Sequence, residues 1–168
     1  REKLFDEIIK IVKDYKIIII QPAEIDAALE SEKLNLNWLE AIKSVEILNL
    51  LSPEIAHVDC PSNNIETYEL YLRERLENPK MKLKVEHKAD VNYVHVGAAS
   101  ILAKVTRDKI IKELQEKYGD FGSGYMTDPK TTSFLNQHYE HHPEIFRQGW
   151  ASFKTARDSK NQKRLNTF

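Results

Sequence analysis

Along the first fifteen positions Leu4, Phe5, Ile8, Ile9 and Val12 recur at helical spacing, which predicts a helix ending near Tyr15. The pattern then changes. Lys16 to Gln21 holds four consecutive isoleucines and stops at Pro22, as expected of a short strand buried on both faces. Pro22 to Asp26 reads as a loop running into the first turn of a helix, with acids at its positive end. A second helix is predicted from about Asn37 to Leu51, with Trp38, Ala41, Ile42, Val45 and Leu48 on one side, until Ser52-Pro53 breaks it.

Ile55 to Asp59 is a second short strand, ending on an acid. Asn63 is placed to cap the next helix, with Glu66 three residues on, and Ile65, Tyr68, Leu72 and Leu76 face inward until Asn78-Pro79. Lys82 to Glu86 alternates charged and apolar residues, as a half-exposed strand does. It stops at His87-Lys88-Ala89-Asp90, which places a second acid at a strand end, beside a helix dense in small residues. That helix runs to Tyr118, and its apolar stripe moves round from Ala98, Ile101, Leu102 and Val105 to Ile110, Ile111, Leu114 and Tyr118. Gly119 closes it. A glycine-rich loop, Gly122 to Pro129, leads into a helix with Asp128 as N-cap and Pro129 at its first position. A short helix around Trp150 and Phe153 precedes a polar tail. Strands and helices alternate, so the fold class is α/β with at least partly parallel strands. Three strands are few for such a sheet, which reads as incomplete.

At 168 residues the chain is long enough for one domain with a sizeable core. Twenty-five basic against 26 acidic residues give no overall bias toward nucleic acid or a membrane surface, so any nucleic-acid contact must be a local patch. Lys154 to Arg164 is one such patch. A single cysteine, Cys60, excludes an internal disulfide and suits a reducing, cytoplasmic setting. No apolar run approaches the roughly 18 residues of a membrane span.

Asp59 and Asp90 are the first chemical candidates. If their strands are parallel neighbours, both carboxylates reach the same sheet edge and attract a hard cation such as Mg²⁺. Acids at turns are also common as simple caps, and spacing alone leaves both readings open. Tyr125, in Gly122-Ser123-Gly124-Tyr125, either stacks on a sugar or base or covers the edge of the core. Lys88, Lys104, Arg107 and Lys130 either face phosphates or are scattered solvated charges. His138, His141 and His142 share a helix face but lack a further zinc ligand nearby. Cys60 has no evident base and reads as a small buried thiol.

Together these landmarks resemble ribonuclease HII, the type 2 ribonuclease H family, in its archaeal form. The resemblance rests on His87-Lys88-Ala89-Asp90, on Ala98 through Asp108, on Gly122 to Tyr125 with Asp128-Pro129-Lys130-Thr131, and on Val58-Asp59 and Gly149-Trp150. It implies a ribonuclease H-like mixed sheet with flanking helices in residues 1–119. Residues 120–168 follow as a helical C-terminal part with a substrate-facing loop and a basic tail. It implies an endonuclease acting on RNA–DNA hybrids and on single ribonucleotides in duplex DNA. The implied chemistry is two-metal hydrolysis with Mg²⁺ or Mn²⁺, one ion activating water and the other stabilising the leaving 3′ oxygen. By the same resemblance Asp59 and Asp90 are metal-binding catalytic acids. Tyr125 stacks beneath the ribose at the junction, and Lys88, Ser100, Lys104 and Arg107 contact substrate.

The family's first strand carries Asp-Glu-Ala-Gly-Arg-Gly, with two further metal ligands, and residues 1–168 contain no such segment. In the family's strand order 3-2-1-4-5 this chain would supply strands 3, 4 and 5, lacking the first two, with a second chain or a further N-terminal segment completing the sheet. Met126-Thr127 stands where the family often has Pro-Ser, and Gly97 where it often has Ser. The alternatives are a degenerate homologue that binds hybrids without cutting them and a structural subunit with no nucleic-acid role.

Overall fold

The computed structural model describes residues 1–165, with side chains to residue 158. They divide into two compact units: Arg1–Ile19 with Asn35–Arg107, and Ile20–Leu34 with the chain from Asp108 onward. No helix among the described residues is long and apolar enough to cross a membrane.

In the first unit, α1 (Glu2–Ile11) is followed by α3 (Leu36–Leu51), β1 (Ile55–Asp59), α4 (Ile65–Arg73), β2 (Lys82–Glu86), α5 (Ala89–Asn92) and the start of α6 (Val94–Tyr118). β1 and β2 are parallel, paired from Ile55 with Lys82 to Asp59 with Glu86. Alternation decides their faces. Ala56, Leu83 and Val85 are buried, whereas Ile55, Lys82 and Lys84 stand on the exposed side. The buried face packs with α3 and α4 into a core of Ala41, Val45, Tyr68, Leu72 and Met81, edged by Trp38, Leu48 and Tyr71. The outer edge of β2 is blunted where the Arg73 guanidinium donates to the Leu83 carbonyl (3.0 Å) and pairs with Glu69.

Helix starts follow capping chemistry. Asn35 caps α3 by accepting from Trp38 N (3.0 Å), one turn before the tryptophan stacks on Tyr71. Asn64, not Asn63, caps α4 by accepting from Thr67 N (3.0 Å). The predicted cap is off by one because the Pro61 turn runs a residue longer, with Ser62 Oγ accepting from Asn64 N.

Lys16 to Gln21 departs from expectation. None of its isoleucines is buried, Ile19 is 51% exposed, and the segment belongs to no ladder. A strand is a paired state, and among the described residues the sheet is β1 and β2 alone. An apolar run without a hydrogen-bonding neighbour stays extended and half exposed.

The second unit holds α2 (Pro22–Glu30), the end of α6, α7 (Pro129–His138), a 3₁₀ turn (Pro143–Ile145) and α8 (Ala151–Leu165). Leu135, Tyr139, Phe153 and Ala156 form its core, with Phe146 against it. Asp26 on α2 accepts from Gln148 N (2.8 Å) and Gly149 N (2.9 Å), so that turn is tied back by one carboxylate. The short terminal helix expected around Trp150 is fifteen residues long. Of the expected basic tail, Lys154 and Arg157 are exposed, and from residue 159 the side chains lie outside the described residues.

Candidate active site

The two strand-end acids are joined by hydrogen bonds between the segments that carry them. Beyond the β1–β2 ladder, Cys60 N donates to the Glu86 carbonyl (3.0 Å) and His87 Nδ1 lies 3.1 Å from the Cys60 carbonyl. Ala89 N then donates to Asp59 Oδ1 (3.0 Å). Asp59 therefore takes the first free amide of α5, one residue before Asp90. The chain enters α5 through Lys88 in the left-handed region (φ 58°, ψ 33°), a conformation costing about 1–3 kcal/mol for a residue with a Cβ. Such strain persists where the surroundings impose it, and here the three bonds do so. Asp90 stands not on the strand itself but in the following turn, half buried, whereas Asp59 is exposed.

Asp90 lines an open cleft of about 460 Å³ with Ser100 and Lys104 of α6, Arg1, and the apolar Leu4, Ile8, Val94 and Ile101. Gly97 also lines it, and a Cβ there would stand 2.9 Å from the Asp90 carbonyl, so the glycine allows α6 to approach the turn closely. Two basic groups and a hydroxyl thus share one cleft with an acid. That set suits a phosphate beside a cation. Lys88 and Arg107 are not among the cleft's lining residues; Lys88 is exposed and Arg107 half buried.

Two neighbours, Glu40 and His57, go unmarked in the sequence reading, and Cys60 is the buried thiol expected there. Glu40 on α3 is exposed as a residue, and partial desolvation first, with the charge of Asp59 second, raises the pKa of its carboxyl. Burial, then Asp59 and Glu40, also push the Cys60 thiol up, opposed by the Ser62 backbone. His57 shares the Asp59 side of β1, its Nδ1 is 2.9 Å from His95 Nε2, and its ring tilts against Tyr93. Period-two alternation back from Asp59 would have found His57. Nothing local in the sequence points to Glu40, whose position depends on how α3 packs.

Tyr125 lies in the second unit and is 57% exposed. The loop before it is pinned residue by residue. Gly122 N donates to Asp120 Oδ1 (3.0 Å), Ser123 N to Asp128 Oδ2 (2.7 Å) and Gly124 N to Thr131 Oγ1 (3.0 Å). Asp128 caps α7 as expected, accepting from Lys130 N (2.9 Å). Its carboxyl is held below the usual range, first by the Ser123 backbone and side chain and then by Lys130 N. Lys130 is engaged by Asp120, whose pKa is lowered chiefly by that bond. His138 stacks on Phe134, and its ring lies over 6 Å from those of His141 and His142.

Among the described residues no three His, Cys, Asp or Glu side chains converge to hold a metal ion. Asp59 and Asp90 nevertheless fit part of a Mg²⁺ or Mn²⁺ site. Such ions take oxygen ligands, and Mg²⁺ binds through one or two protein carboxylates only together with substrate phosphates and several waters.

These features define an α/β protein with two acids, Asp59 and Asp90, just beyond the carboxyl ends of two parallel strands, of which Asp90 alone lines the cleft. Residues 1–153 match the family model described as Ribonuclease HII. The chain is 43% identical to a Ribonuclease HII of Pyrococcus abyssi, over 92% of this chain and 69% of that protein. It is 40% identical to one from Thermococcus sibiricus, over all of this chain and 77% of that protein. The crystal structure of ribonuclease H2 from Pyrococcus horikoshii superposes with a TM-score of 0.84 at 37% identity, covering 94% of this chain and 75% of the other. A PCNA:RNase HII complex from Archaeoglobus fulgidus gives 0.79 at 36%, covering 89% and 72%. The chain belongs to the ribonuclease HII family, the type 2 ribonuclease H endonucleases, whose members cut RNA in RNA–DNA hybrids.

Proposed function

We propose that this chain supplies two of the acids for metal-dependent hydrolysis of the RNA phosphodiester in hybrids and at single ribonucleotides in duplex DNA. The observation that carries the reading is the bond from Ala89 N to Asp59 Oδ1, which locks the Asp59 and Asp90 segments together. Mg²⁺ or Mn²⁺, when bound, supplies an activated water and positive charge against the leaving oxygen. Asp59 and Asp90 hold their carboxylates toward that centre, one exposed and one half buried. Lys104, Ser100 and Arg1 bind the phosphate in the cleft beside Asp90. Lys88 and Arg107 hold the duplex backbone, and Tyr125 stacks on a ribose of the substrate.

The family's remaining acids belong to the Asp-Glu-Ala-Gly-Arg-Gly segment, which residues 1–168 do not carry. On our reading that segment pairs along the free edge of β1, and Lys16–Ile20 joins the same enlarged sheet. Two carboxylates alone hold a divalent ion weakly, so residues 1–168 by themselves cut poorly or not at all. The reading is tested in the enzyme completed by that segment, on a duplex with one embedded ribonucleotide. Asp59→Asn and Asp90→Asn should each abolish cleavage while circular dichroism stays unchanged. Full activity in either variant would remove that acid from the site.

A further inference from the structure

Asp128 and Thr131 do more than α7 requires of them. A helix cap needs one side-chain oxygen, and Asp128 Oδ1 fills that role at Lys130 N. Its other oxygen, Oδ2, reaches back to Ser123 N at 2.7 Å. Thr131, in the first turn of α7, is buried at 7% exposure, where a threonine contributes little to helix propensity. Its hydroxyl accepts from Gly124 N (3.0 Å) and donates to the Phe121 carbonyl (2.8 Å). Both spare groups are spent on Ser123 and Gly124, the two residues just before Tyr125.

The loop needs such ties. Gly122 and Gly124 both have positive φ (74° and 75°), and glycine there leaves the backbone free to leave that conformation. A Cβ at Gly122 would stand 2.5 Å from Asp128 Oδ2, so the glycine is also what lets the carboxylate close on the loop. The turn is finished by Asp128 N donating to the Tyr125 carbonyl (2.9 Å) and Thr132 Oγ1 donating to the Met126 carbonyl (3.0 Å).

We propose that Asp128 and Thr131 are positioning residues for substrate recognition: by holding Ser123 and Gly124 from the first turn of α7, they preset the Tyr125 ring as a stacking platform. The inference rests on the reading of Tyr125 as the ribose-stacking residue. A platform fixed beforehand does not lose loop freedom at binding, so the ties show up as affinity for the ribonucleotide junction.

The test is a double-mutant cycle on the completed enzyme, measuring kcat and KM on a duplex with one embedded ribonucleotide. Thr131→Val keeps the shape and removes the hydroxyl. It should lower kcat/KM by about 5-fold, the equivalent of one net hydrogen bond, mainly through KM. Thr131→Ser keeps the hydroxyl and should stay within about 2-fold. Asp128→Asn still offers an oxygen to cap α7, but it turns an amide donor toward Ser123 N, and should match Thr131→Val. In a Tyr125→Ala background none of the three should cost anything further. Losses that add to Tyr125→Ala, or that Thr131→Ser fails to rescue, mark a merely structural role and overturn the inference. If Tyr125→Ala weakens cleavage but Thr131→Val and Asp128→Asn do not, the inference fails alone. If Tyr125→Ala changes nothing, the stacking reading fails and takes the inference with it. Should Thr131→Val unfold, Asp128→Asn decides by the same criteria.

Discussion

The acid turn after β2 and the glycine loop before α7 solve the same problem in different ways. Asp90 is placed by a parallel ladder that continues in a backbone bond from Cys60 N to the Glu86 carbonyl, by the His87 and Asp59 side chains on loop backbone atoms, and by a lysine held in a left-handed conformation. Tyr125 is placed by side chains: Asp120, Asp128 and Thr131 each take one loop amide, and two glycines supply the positive φ. The first scheme spreads over a sheet and depends on what lies along its edges. The second is complete within some ten residues. The glycine loop is therefore sensitive to single side-chain changes within its own segment, whereas the acid turn also depends on the β1–β2 pairing that brings His87 and Asp59 into reach.

Substitutions can break this contrast, beginning with the largest effect. Asp59→Asn in the completed enzyme removes both the metal ligand proposed above and the charge that accepts from Ala89 N. It should cost more than the roughly 10–100-fold that changes around metal ligands typically cost. A loss within that range, read as kcat, would demote Asp59 to a supporting position. Tyr125→Ala should weaken cleavage at a single ribonucleotide by an amount matching a lost stacking contact, about 1–3 kcal/mol. Unchanged kinetics would take Tyr125 out of the site.

Glu40→Gln probes the acid side from the other direction. The folded state raises the Glu40 pKa, so the unfolded chain releases that proton first, and stability falls as pH climbs from the ordinary glutamate range through the folded value. Thermal unfolding should show Glu40→Gln stabilising the protein at pH 7 and leaving it nearly unchanged at pH 4. The loop carries the opposite sign. Asp128 is lowered, so its ties are fully present above the ordinary carboxylate range and are lost as pH falls through the folded value. Protection of the Ser123 amide, relative to its intrinsic exchange rate at each pH, should fall over that acid range alone; protection that is flat with pH would show that Asp128 does not hold the loop.

Both regions were legible in the sequence to different depths. The β1 and β2 spans, Gly119 as the stop of α6, and Asp128-Pro129 as the start of α7 follow from alternation and capping, which are local properties. Asp59 and Asp90 could be named as strand-end acids. The bond through Ala89 N could not, because it depends on the pairing register of two distant segments. The isoleucine run at Lys16 to Gln21 misled for a related reason: its composition is that of a buried strand, but pairing is decided by a neighbour and not by the run itself. Glu40 gave no local signal, since only the packing of α3 brings its carboxyl into the field of Asp59. The second oxygen of Asp128 was hidden behind its first, the helix cap that sequence alone predicts.

The central claim is that Asp59 and Asp90 form half of a metal site whose other acids lie on a further strand. It is tested most directly by assaying purified residues 1–168, with Mg²⁺ and with Mn²⁺, on a duplex containing one ribonucleotide, alone and with the Asp-Glu-Ala-Gly-Arg-Gly segment restored. The account predicts little or no cleavage alone and metal-dependent cleavage once the segment is present. Robust metal-dependent cleavage by residues 1–168 alone, abolished by Asp59→Asn, would contradict it.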